Sequence, residues 1–279
     1  MIALPIGLAI YLTRRFQTGW RLVWIGAATF IIAQLGHIPF NYALTKLFEN
    51  GILPLPPAGY ELIFSSVILG LSSGIWEETA RYLAYRWPAR DARSWRKALL
   101  LGTGHGGIEA FILGLLVLFT FVQLVAIRDR DLSGLIEPEQ LGLVQQQVSA
   151  YWSLPWYETL LGAVERAFTL VFHLAASVIV LQCFIRQQIR WLFLAIGLHA
   201  ILNASAVFVA GTYGPYAAEA VIGLFALISL GIIFRLKIPE PEPELNILPE
   251  LPPVLNADDL INLSTHQESD EKLDESRYN

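Results

Sequence analysis

Ionisable side chains recur within the long apolar stretches of this 279-residue chain. They are Glu77, Glu78, Arg81, His105, Glu109, His173 and His199, accompanied by the amide of Asn203. A charge at the centre of a bilayer costs roughly 2.5–3.5 kcal/mol. A group of ionisable residues this large therefore indicates a function. Residues four apart share one face of a helix, and both His105 with Glu109 and His199 with Asn203 have this spacing. The set therefore predicts a polar site inside a helical bundle.

Glutamate and histidine that converge in a dry pocket favour hydrolysis, by one of two routes. Neutral imidazoles can bind a metal such as Zn²⁺ and leave one position open for water, on which a glutamate acts as general base. Alternatively, Glu and His activate the water without a metal, while His and Asn donate hydrogen bonds to the oxyanion. Either route predicts cleavage of a peptide bond in a membrane-protein or peptide substrate.

Two other functions use the same residue types. Buried Glu and His also form proton relays, so a transporter or proton-coupled carrier is the first alternative. A catalytically silent membrane scaffold is the second. A hydrolase is favoured because the polar groups form one layer rather than a path, and because the sequence has no inverted repeat.

The elements that must position these residues are membrane spans. Hydrophobic residues make up 54% of the chain and charged residues 15%, an excess too large for one soluble core. About 20 apolar residues cross a bilayer, and helices are the expected form. Seven stretches qualify as candidates, the first of them short: 1–12, 20–44, 59–80, 98–126, 156–185, 191–210 and 215–234. We therefore expect an all-α, polytopic transmembrane bundle, with a short helix at 138–150 in the polar loop 127–155.

Lysine and arginine are distributed unequally between alternate loops. One set of loops and span ends holds 13 of them, from Arg14 to Lys237, and the opposite set holds only Lys46, Arg128 and Arg130. The positive-inside rule places the rich set in the cytoplasm, together with the carboxyl terminus of this multi-pass cell-membrane protein. Its environment is a lipid bilayer, and no basic stripe with interleaved aromatic residues indicates nucleic acid.

The chain divides at about residue 237. Residues 1–237 form the predicted membrane domain, whereas residues 238–279 begin with a Pro-Glu run and continue as acidic, polar sequence. Such composition cannot bury enough apolar surface to fold, so a disordered cytoplasmic tail is expected.

Depth in the membrane separates the candidate site residues from the other polar residues. At about 1.5 Å per residue, Glu77, His105, His173 and His199 lie about 12–20 Å from the cytoplasmic ends of their spans. We expect these four to share a pocket that opens toward the cytoplasm. His37 lies farther out, beside Pro39, and is expected to bridge a helix kink. Arg166 and Glu165 are expected at the outer interface as an exposed pair or as snorkelling residues.

Several segments resemble one family of membrane proteins. They are residues 75–82 (IWEETARY), 104–110 (GHGGIEA), 172–173 (FH), 199–203 (HAILN) and 34–41 (QLGHIPFN). In this order, on successive spans, they resemble the YhfC family of predicted intramembrane metalloproteases, which is related to the CAAX prenyl protease and bacteriocin-processing group. The resemblance covers roughly residues 1–237.

The resemblance implies roles for particular residues. Glu77 would be the base that activates water, with Glu78 and Arg81 as its partners. His105, His173 and His199 would be metal ligands, or water and oxyanion contacts assisted by Asn203. Glu109 would be a further ligand or a partner of His105. If a metal is bound, the expected ion is zinc, and otherwise no cofactor is expected.

Overall fold

The computed structural model describes residues 1–131, 133–134 and 136–239, and this part of the chain is helical without β-strands. The helices are α1 (Ala3–Phe16), α2 (Arg21–Glu49), α3 (Glu61–Arg86), α4 (Trp95–Ile127), α5 (Pro138–Ser153), α6 (Leu161–Ile185), α7 (Arg190–Tyr213) and α8 (Pro215–Arg235). A 3₁₀ helix, Trp156–Leu160, leads into α6. The prediction of an all-α fold is confirmed, and α5 occupies the position of the predicted short loop helix.

Five helical segments are long and apolar enough to cross a membrane: α2, α4, Trp156–Ile185, α7 and α8. The prediction of seven spans is not confirmed. Helix α1 has only 14 residues, which is short of a bilayer crossing. Helix α3 has 26 residues, but it carries the charged Glu77, Glu78 and Arg81. The predicted tail, beyond its first two residues, lies outside the described part of the chain.

Contacts between loop residues and residues at the ends of helices define one end of the bundle, which we call the Arg-rich end. Arg21, at the start of α2, pairs with Asp91 in the α3–α4 loop at 2.9 Å. The indole of Trp95, at the start of α4, donates to the carbonyl oxygen of Ile233, near the end of α8, at 2.9 Å. The guanidinium of Arg93 lies over the ring of Phe184, near the end of α6. The other ends of these helices form the opposite end of the bundle.

Glycines allow α4 to pack closely against α2. A Cβ atom at Gly104 would lie 2.0 Å from the carbonyl oxygen of Val23. A Cβ atom at Gly26 would lie 2.1 Å from the carbonyl oxygen of Leu101. Only residues without a side chain permit this approach between backbones. The contact brings His105 of α4 within hydrogen-bonding distance of α2.

An apolar layer fills the bundle between the polar residues and the Arg-rich end. It contains Tyr85, Leu101, Val178 and Ala195, each of which is at most 1% exposed. Each lies four or five residues, about one helical turn, from a candidate site residue on the same helix, in the direction of the Arg-rich end. This layer closes the site on the side of the Arg-rich end.

Candidate metal and catalytic site

Four helices, α3, α4, α6 and α7, bring the polar residues of the predicted shared depth together. Glu77, Glu78, Arg81, His105, His173 and His199 are all buried, with at most 6% of each exposed. The ring centroids of His105 and His173 are 5.0 Å apart, and those of His173 and His199 are 5.6 Å apart. Their shared position makes this cluster the candidate site.

Glu77 lies at the centre of the cluster. Its Oε2 lies 3.0 Å from Nε2 of His105 and 3.8 Å from Nε2 of His199. Its Oε1 accepts a hydrogen bond of 3.3 Å from Nε2 of Gln34. By distance alone, Glu77, His105 and His173 could hold a metal ion, since one potential ligand atom from each lies within 4.8 Å of the others.

Hydrogen bonds assign the proton of His105. The hydroxyl of Thr29 donates to the carbonyl oxygen of Gly26 at 2.5 Å, which commits its only hydrogen. Nδ1 of His105, 2.8 Å from the same hydroxyl oxygen, must therefore be the donor in that contact. The neutral ring then has a lone pair on Nε2, and this lone pair faces the carboxylate of Glu77.

His199 has the same arrangement. Its Nδ1 lies 2.7 Å from Oε1 of Glu78, an ionised carboxylate that can only accept. Nδ1 is therefore protonated, and in the neutral ring Nε2 has a lone pair on the side of Glu77. Glu78 is itself neutralised by a buried ion pair with Arg81. A carboxylate that holds the distal N–H of a histidine is the usual support of a metal-binding imidazole.

His173 differs from the other two histidines because both of its ring nitrogens have partners. Its Nδ1 accepts from the guanidinium of Arg81 at 3.2 Å, and its Nε2 donates to Oε2 of Glu109 at 2.7 Å. A histidine that binds a metal through Nε2 must carry a proton on Nδ1, and here Nδ1 faces a cationic donor. Although distance groups His173 with Glu77 and His105, its hydrogen bonds oppose a role as ligand.

Glu109 pairs with His173 and Arg166, not with His105. Nη1 of Arg166 donates to Oε1 of Glu109 at 2.6 Å, and Arg166 also pairs with Glu165. Arg166 is only 8% exposed, so the prediction of an exposed or snorkelling pair is wrong for this residue. Two carboxylates compensate its charge and allow it to lie inside the bundle.

A cavity of about 60 Å³ adjoins the cluster on the side of the opposite end. Its polar wall is formed by Glu77, Glu109, Glu165, Arg166, Thr169, His173, His199 and Asn203. Asn203 lies one turn beyond His199 and donates to the hydroxyl of Ser73 at 2.7 Å. The cavity can hold a few water molecules. The apolar layer lies between the cluster and the Arg-rich end. The predicted opening toward the cytoplasm depends on which end of the bundle faces the cytoplasm, and that orientation stays a prediction.

Sequence reasoning missed Thr29 and Gln34 and treated His37 as a residue apart from the site. His37 contacts Gln34, Asn41 and Ser72. The separations of Gln34, His37 and Asn41, three and four residues, place them on one helix face, and this pattern could have indicated a shared contact with α3. Thr29 gives no such signal, because its neighbours in the sequence are apolar or small.

A bundle of apolar helices around a buried Glu/His cluster defines a polytopic membrane protein with an internal polar site. Residues 1–225 match the YhfC intramembrane metalloprotease family, and the chain belongs to this family. One relative is the uncharacterized membrane protein YhfC of Bacillus subtilis (strain 168). It is 28% identical over 242 residues, which are 84% of this chain and 91% of the relative. No solved structure matches the chain. The resemblance to the YhfC family is confirmed.

Proposed function

We propose that this protein is an intramembrane metallopeptidase whose metal centre includes Glu77, His105 and His199. One observation carries the proposal: Nε2 of His105 and Nε2 of His199 lie 3.0 and 3.8 Å from the same buried carboxylate oxygen of Glu77, while Nδ1 of each ring has another partner. Lone pairs and an anion repel one another in a low-dielectric interior unless a cation or a proton lies between them. A divalent metal satisfies all three groups at once.

The pairing of charges supports the same location. Arg81 neutralises Glu78, and Arg166 neutralises Glu109. Glu77 instead faces an amide and two imidazoles. It is therefore the buried carboxylate of the cluster that gains most from a cation, because an uncompensated charge is costly in this environment.

The donor set suits zinc. Two histidines and one glutamate, with a further position left for water, are a known set of zinc ligands in peptidases. Thr29 and Glu78 would orient the two imidazoles through their Nδ1 protons. A bound zinc ion supplies Lewis acidity, which polarises a carbonyl group and acidifies a water molecule.

Glu109 and His173 lie beside this centre and are suited to move protons. Glu109 accepts a proton as water attacks the carbonyl carbon of the peptide bond. His173, hydrogen-bonded to Glu109 at 2.7 Å, supports its charge and its position. The proton then passes to the leaving nitrogen as the C–N bond breaks. Asn203, on the cavity wall, would assist the oxyanion. In this arrangement Glu77 is a ligand, and Glu109 takes the role of base that the resemblance implied for Glu77.

The closed apolar layer fits a hydrolase that is reached from one side. A transported ion would have to pass from the cavity to the Arg-rich end, and Tyr85, Leu101, Val178 and Ala195 fill that route. A hydrolase needs access from one side only. The substrate class that fits the site is a peptide segment of a membrane protein or a membrane-inserted peptide.

The test combines metal analysis with a comparison of membrane proteomes. We expect the purified wild-type protein to hold about one zinc ion per chain, and the E77Q variant to hold far less. Membranes with active protein should contain cleaved peptides that are missing from membranes with E77Q. The exposed α5 variant E139Q is the control and should behave as wild type. Metal-free wild-type protein, or identical peptide profiles, would contradict the proposal.

A further inference from the structure

Helix α2 carries a row of polar side chains that reaches Glu77 from the opposite end of the bundle. Nε2 of Gln34 lies 3.3 Å from Oε1 of Glu77. Nδ1 of His37 lies 3.2 Å from Oε1 of Gln34. Nδ2 of Asn41 lies 2.7 Å from Nε2 of His37. Four side chains are thus joined by three hydrogen bonds.

The direction of every bond in this row follows from its first contact, in which the amide nitrogen of Gln34 faces Oε1 of Glu77. A carboxylate can only accept, so Gln34 donates to it through the amide nitrogen. The amide oxygen of Gln34 then accepts, which requires a proton on Nδ1 of His37. Nε2 of the neutral His37 ring is consequently an acceptor, and Asn41 donates to it. All donors point toward Glu77, and a row of this kind polarises its members cooperatively.

We propose that Gln34, His37 and Asn41 form a positioning ladder for the carboxylate of Glu77. A carboxylate can rotate about its terminal bond, and this rotation exchanges its two oxygens. The bond from Gln34 holds Oε1, so that Oε2 faces His105 and His199. The ladder therefore orients a metal ligand from outside the metal centre. This inference rests on the proposed function, in which Glu77 binds the metal.

The packing of α2 against α3 keeps the ladder in register. A Cβ atom at Gly36 would lie 2.2 Å from the ring of Trp76, the residue before Glu77. The indole therefore fits against the bare backbone between Gln34 and His37. Nε2 of His37 also lies 3.0 Å from the hydroxyl of Ser72, one and a half turns from Glu77 on α3. These contacts hold α2 and α3 in the register in which Gln34 can reach Glu77.

In the ladder His37 acts as a neutral bridge with one donor and one acceptor. A glutamine side chain also has an N–H donor and an oxygen acceptor, so H37Q can preserve the ladder. Leucine in H37L fills similar space but breaks both bonds. Leucine in Q34L likewise removes the hydrogen bond that joins the ladder to Glu77. H37Q is therefore the matched control for H37L.

The first measurement is zinc affinity of the purified full-length protein in detergent, by competition with a chelator. We expect Q34L to bind zinc about 10-fold to 100-fold more weakly, the usual effect of removing a partner of a metal ligand. H37L should weaken binding in the same direction, and H37Q should restore it. A ladder that served packing alone would lower thermal stability and leave zinc affinity unchanged. That result would overturn the proposal.

The second measurement needs no metal and separates this inference from the proposed function. The ¹⁵N chemical shifts of the His37 ring, in metal-free protein, should report a proton on Nδ1 and none on Nε2. In Q34L the signal of Nδ1 should shift, since its acceptor is gone. A proton on Nε2 in the wild type would overturn the ladder. If the wild type bound no zinc, the metal centre would fail, and the His37 tautomer alone would decide the ladder.

Discussion

Nε2 of His105 lies 3.0 Å from Oε2 of Glu77, and in the neutral ring the bond from Nδ1 to Thr29 leaves Nε2 with a lone pair. Two acceptors at this distance need a shared cation or proton. The relationship depends on three helices, because Thr29 lies on α2, Glu77 on α3 and His105 on α4. The close α2–α4 contact at Gly26 and Gly104 is therefore a requirement of the site as well as of the fold.

Loss of metal should distinguish His199 from His173. His199 presents a lone pair toward Glu77, whereas both nitrogens of His173 have partners. We expect H199A to lose most of its bound zinc and H173A to retain it, although both should lose peptidase activity. Elemental analysis of the purified variants checks this. Retention by H199A together with loss by H173A would assign the third ligand to His173, as distance alone suggests.

Removal of the proposed base should separate catalysis from metal binding. Glu109 contacts His173 and Arg166 and lies outside the proposed ligand set. We expect E109Q to keep its zinc and to lose activity by about 100-fold or more, the scale of losing a general base. The readout is cleavage of a peptide identified by the proteome comparison. Metal loss in E109Q equal to that in E77Q would make Glu109 a ligand instead.

Substitution of Gly104 should destabilise the bundle. The new methyl group in G104A would meet the backbone of Val23, which cannot move as a side chain can. Overpacking of this kind costs about 1–3 kcal/mol. The control is G197A, since a Cβ atom at Gly197 would have no neighbour within 4 Å. In a helix that change is expected to stabilise by about 0.5–1 kcal/mol. Thermal unfolding in detergent compares the two, and equal midpoints would contradict the packing argument.

The fold and the cluster were predictable for different reasons. Apolar runs predicted helices, and the cost of buried charge identified Glu77, His105, His173 and His199. The hydrogen-bond and ion-pair partners of these residues were harder to predict from the sequence, because depth along a helix does not reveal which face packs against which neighbouring helix. Arg166 illustrates the limit: its depth suggested the interface, but its contacts with Glu109 and Glu165 bury it. Gln34 and Thr29 are uncharged, so the cost of burial gave no reason to select them.

Deletion of the acidic tail should leave the site intact. We propose that residues 1–237 are the functional unit, because the described helices and the described contacts of the cluster lie within them. A chain that ends at Ile238 should bind zinc and unfold as the full chain does. The Pro-Glu run and the acidic charge of the tail oppose a packed core. Loss of zinc, or a lower unfolding temperature in detergent, would show that the tail stabilises the membrane domain.

Access to the site should come from the opposite end of the bundle. Ala206 lines the cavity, whereas Ala195 lies in the closed apolar layer and is 1% exposed. In a C183S background, we expect A206C to react with a small, membrane-impermeant thiol reagent added to intact cells, and A195C to remain unmodified.

Arg90 is exposed in the α3–α4 loop at the Arg-rich end, so R90C tests the orientation that the positive-inside rule predicts. It should react only after the membrane is permeabilised. Labelling of R90C in intact cells would contradict the predicted orientation of the bundle. Faster labelling of A195C than of A206C would contradict the predicted direction of access.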